Sequence, residues 1–136
     1  MTTHQDTVYA AGFETAGSIT GNVTGDLTGN VNLPVQVLAA SGPITIKPGV
    51  VLLTNADGAV EATLAAPAPT TDDGKILYIV STTAKAHTIT ATTIGFNAAE
   101  TDGDVATLGG AVSDGLVVVA YQGAWYVLVN TNATIA

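Results

Sequence analysis

Two acidic groups offer the most obvious chemistry in this chain: Glu100-Thr-Asp102-Gly-Asp104 and Asp72-Asp73-Gly74. Oxygen ligands so closely spaced could hold Ca²⁺, and a pair such as Asp102 and Asp104 could act as acid and nucleophile in glycan hydrolysis. Neither pattern is complete. The D-x-D-x-D-G run with a distant Glu that a calcium loop uses is absent, and both groups stand in Gly-containing turns, where solvated carboxylates are common. We therefore expect no bound metal, no cofactor and no catalytic residue, and we read the chain as a non-enzyme.

His87, in "TAKAHTITA", has no recognisable nucleophile motif beside it and is read as a turn or strand-edge residue. Gly109-Gly110 is not followed by the helix and Lys-Ser/Thr of a phosphate cradle, so it reads as a loop. Tyr121, Trp125 and Tyr126 cluster at one hairpin and could form a sugar platform. Aromatics in a small β-domain more often pack in its core or at a subunit interface, and that role is assigned to these three.

Composition limits the possible partners. Three lysines, no arginine and eleven acidic residues give a net charge of -8, which leaves no basic surface for nucleic acid or anionic lipid. With no cysteine, disulfides and thiolate metal sites are excluded, so a small domain has to find stability elsewhere, and oligomerisation is the obvious source. The first residues, MTTHQD, lack the basic and apolar regions of an export signal, and no apolar run approaches membrane-spanning length. Synthesis in the cytoplasm and no membrane contact are expected.

Three segments must position these residues. Residues 1–16 read as an extended arm whose large side chains are Tyr9 and Phe13. Residues 17–42 are a repeat stem and linker. In "GSITGNVTGDLTGN", Gly17, Gly21, Gly25 and Gly29 alternate with Ile19, Val23, Leu27 and Val31 at odd positions, while Ser, Thr, Asn and Asp fill the even ones. That is a strand period with one dry face and one wet face. A lone strand of this kind is unstable, because it has no ladder partner and its glycines lose much entropy on ordering. Three copies about a common axis would bury Ile19, Val23, Leu27 and Val31, with Gly21 and Gly25 permitting close approach; extended, residues 17–33 would span about 50 Å.

Residues 43–136 read as an all-β domain, an antiparallel sandwich or barrel. Strands are expected over 44–47, 50–54, 60–64, 75–81, 88–92, 105–108, 116–121 and 125–129, separated by Gly-, Pro- and Asp-containing turns. The clearest hairpin turns at Gln122-Gly123.

Two stretches of this domain, "APAPTTDDGKILYIVSTTAKAHTITA" (66–91) and "LGGAVSDGLVVVAYQGAWYVLV" (108–129), resemble the β-domains of head-decoration and head-fibre proteins of tailed bacteriophages. "GNVTGDLTGN" similarly resembles stem segments of phage fibre and spike proteins. The resemblance implies a homotrimer on the outer surface of the virion that grips the major capsid protein at threefold positions and stabilises the expanded head. Tyr9 and Phe13, in a segment with no core of its own, are the expected capsid contacts. The alternative is a receptor-binding tip of a tail fibre or spike with a host-surface glycan or protein as its ligand; a glycan-cleaving spike ranks third.

Overall fold

The computed structural model describes residues 31–99 and 104–136. Short runs of Val, Ile, Leu and Thr between turn residues form ten strands in it, as β-branched and apolar residues on a pleated surface favour. They are β1 (Val35–Leu38), β2 (Gly42–Ile44), β3 (Gly49–Leu53), β4 (Glu61–Leu64), β5 (Ile76–Ser81), β6 (Thr88–Ala91), β7 (Val105–Leu108), β8 (Gly115–Tyr121), β9 (Ala124–Thr131) and β10 (Ala133–Ile135). A single 3-10 turn, Phe96–Ala98, lies between β6 and β7. The all-β class is therefore correct.

The strands make two five-stranded sheets: sheet A in the order β1-β3-β5-β8-β9 and sheet B in the order β10-β7-β6-β4-β2. Successive strands from β1 to β6 alternate between the sheets, so the chain coils. Each return to a sheet lays the new strand parallel to the one before, as in β1–β3, β3–β5, β2–β4 and β4–β6. The chain then reverses, and β5–β8, β8–β9, β6–β7 and β7–β10 are antiparallel. The expectation of a wholly antiparallel domain is thus corrected to a mixed sandwich. A short connection can turn a strand back within one sheet or carry it across to the facing sheet, and here the facing strand serves as the crossover that parallel pairing requires.

The inward residues of both sheets form one core, including Leu53, Leu64, Leu77, Ile79, Ile89, Leu108, Val118 and Trp125, all essentially inaccessible to solvent. Phe96 joins them from the 3-10 turn. The neighbouring Asn97 accepts a hydrogen bond from Val127 N–H, covering part of the free edge of β9.

β1 and the start of β2 fall within the segment read as stem and linker. β1 forms because β3 lies alongside it: Val50 N–H donates to Pro34 O, and Thr54 N–H donates to Leu38 O. β2 is displaced from the expected 44–47 because the chain bends after Ile44, where Lys47 N–H donates to Thr45 O. β10 is also unexpected. Asn130 makes the corner that starts it, accepting from Ala133 N–H and donating to Ala133 O, with Asn132 at φ 55°. The hairpin at Gln122-Gly123 is as expected, with φ of 48° and 84° at its two central residues.

Candidate functional site

The residues flagged for chemistry are used within the described structure as corner and turn acceptors. Asp72 accepts hydrogen bonds from Ala68 N–H and from the Lys75 ammonium. The Lys75 hydrogen bond, followed by that from Ala68, holds its carboxyl below the usual range against the opposing effect of burial. Asp73 takes both the backbone N–H and the side-chain amide of Gln122, at 2.7 and 2.8 Å, and so ties the β8–β9 turn to the start of β5. Asp114, nearly inaccessible, accepts from Ala111 N–H and from the Asn132 amide. No three His, Cys, Asp or Glu side chains among the described residues stand close enough together to hold a metal ion. Glu100 and Asp102 lie outside the described residues, as do Tyr9, Phe13, Ile19, Gly21, Val23, Gly25 and Leu27; Asp104 is half-buried, and its carbonyl accepts from Ala91 N–H.

His87, expected in a turn or at a strand edge, stands directly before β6 and is fully buried. Its Nδ1 accepts from Val60 N–H at 2.7 Å, so Nε2 carries the proton and donates to Thr83 Oγ1 at 2.9 Å. Thr83 in turn donates to Asn55 O. Burial, reinforced by the positive charge of Lys85, pushes its pKa below the ordinary value of 6.5. A neutral imidazole with both nitrogens occupied has no free position for a substrate proton.

The aromatic cluster divides across the sheet, as strand alternation requires. Trp125 points into the core, where Nε1 donates to Ala65 O at 2.8 Å. Tyr121 and Tyr126 point outward with ring centroids 6.4 Å apart and planes inclined by 57°. The three rings therefore form no single sugar platform.

What the fold does assemble is a pair of unlike outer faces. Across sheet A, Val35, Val50, Tyr78, Val117 and Val129 stand in register as one apolar row over all five strands. Val37, Leu52 and Val80 flank it on one side, and Ile76, Val119 and Tyr126 on the other. Val35 and Val37 are each 59% exposed, Val129 51% and Tyr78 38%. A hollow lies among Tyr78, Val80, Gly115, Val117, Val129 and Thr131 on the same face. Sheet B presents the opposite chemistry: Thr63 and Thr90 in one row, and Glu61, Thr88, Thr107 and Thr134 in the next.

Of this apolar face, only Tyr121 and Tyr126 stand out in the sequence as candidates, with Val31, 66% exposed, in the stretch leading to it. A signal for the rest was present in the strands. "GVVLL", "ILYIVS" and "GLVVVAY" are apolar in both phases, whereas "EATL" and "TITA" alternate. Strands covered on both faces have the first pattern, and strands with one wet face have the second. No protein-family model matches the chain, and no curated protein matches it in sequence.

Proposed function

We propose that this chain is a structural protein of a tailed-phage virion, which decorates and stabilises the outside of the capsid as a homotrimer. The observation that carries the reading is the outward face of sheet A. An apolar, uncharged sheet face of this extent belongs to a protein that works by assembling, since large exposed apolar patches mark interaction surfaces. The acidic composition and the use of the aspartates as corner acceptors also support a structural role over a catalytic one. The major capsid protein is the proposed partner, and the outer surface of the capsid the proposed location.

One observation favours a second reading. Tyr121, 58% exposed at the tip of the β8–β9 hairpin and inclined against Tyr126, is the kind of side chain that a receptor-binding tip presents to a host-surface glycan. Imaging separates the two. Purified protein is mixed with heads stripped of decoration and with tailed particles, and the mixtures are examined by cryo-electron microscopy. Ordered density at threefold lattice positions is expected; bare heads with density at the tail tip would replace the first reading by the second.

A further inference from the structure

We propose that the outward face of sheet A is the seam through which copies of this chain meet. The inference deepens the reading above and rests on its homo-oligomer part, not on the capsid.

Charge selects the occupant. No acidic or basic side chain stands among the outward positions of sheet A, although the chain carries a net charge of -8. Two copies approaching by an acidic surface repel each other, whereas here they meet without bringing like charges together. A basic partner, which the chain's charge would attract, finds no counter-charge on this face. The surface therefore suits a second copy better than a cationic protein.

Phase supplies the second line. In the repeat, Ile19, Val23, Leu27 and Val31 occupy odd positions, and Leu33, Val35 and Val37 continue the same parity. In β1 the odd positions are the outward ones: Val35 and Val37 are exposed, while Leu38 is buried at 7%. The exposed aliphatics that lead onto this face, Val31, Leu33, Val35 and Val37, thus share one parity. The threonine rows of sheet B are then the surface left to solvent.

The test uses the full chain at micromolar concentration, with native mass spectrometry and light scattering as readouts. Val35→Asp/Val37→Asp places two charges on the exposed edge of the face, and Thr107→Asp places one on sheet B. Wild type and Thr107→Asp are expected at a multiple of the 13.5 kDa chain mass, and the double variant at 13.5 kDa with its β-sheet circular dichroism retained. A monomeric wild type, or a double variant that still assembles, overturns the proposal. Should the double variant not fold, cysteine cross-linking decides, because the chain has no thiol of its own. Val37→Cys should give cross-linked copies and Thr107→Cys should not; the reverse pattern, or none, overturns the proposal. Assembly through this face with bare heads would remove the capsid reading and leave the seam standing.

Discussion

His87 sits between a donor and an acceptor, and each of its nitrogens is committed to one of them. Burial, with the nearby charge of Lys85, disfavours the imidazolium, so the folded chain resists the proton more than the unfolded chain does. With the folded-state pKa below 6.5, the unfolded state binds more protons as pH falls past that value. The stability His87 contributes is therefore complete above 6.5, is lost as pH drops toward the folded-state pKa, and levels off below it. A melting series from about pH 8 to about pH 5 should show this fall, with a flatter profile for His87→Gln. The residue type was visible in the chain, but its role was not: Val60 and Asn55, which define that role, are far from it in sequence, and Val60 meets His87 because β4 and β6 are neighbours in sheet B, while Asn55 meets Thr83 because β3 and β5 are neighbours in sheet A. The turn aspartates were easier to read, since most of their partners are local.

At the scale of elements, the strands were legible from their composition and their pairing was not. Alternating "TITA" and doubly apolar "ILYIVS" both announce strands. Neither says which sheet receives the strand, because a short connection suits a hairpin and a crossing equally well. Packing of β8 against β5 shows what the register demands. A Cβ on Gly115 would lie 2.1 Å from Ile79 O, a backbone atom held in the ladder, so the two strands would have to separate. Gly115→Ala is expected to cost about 1–3 kcal/mol, seen as a lower urea midpoint with an unchanged slope. An unchanged midpoint would mean that β5 and β8 are not so closely joined.

For the whole molecule, charge and apolar surface act in opposite directions on assembly. A net charge of -8 on each copy opposes association at long range, and salt screens that repulsion within about 10 Å at 0.1 M ionic strength. Burial of the sheet A face is not weakened by salt. Self-association should therefore tighten as sodium chloride is raised, which sedimentation equilibrium can measure. Weakening with salt would point instead to ion pairs across the contact, for which this face has no groups.

The amino-acid sequence alone determined the all-β class, the Gln122-Gly123 hairpin and the acidic charge balance. Each of these depends on residue type and on spacing within a few positions. The coiled alternation between two sheets, the burial of His87 and the apolar row from Val35 to Val129 were decided only by tertiary structure. The physical reason is common to all three. They depend on which distant strands become neighbours, and that is set by the burial of both sheets against one core and not by any local preference.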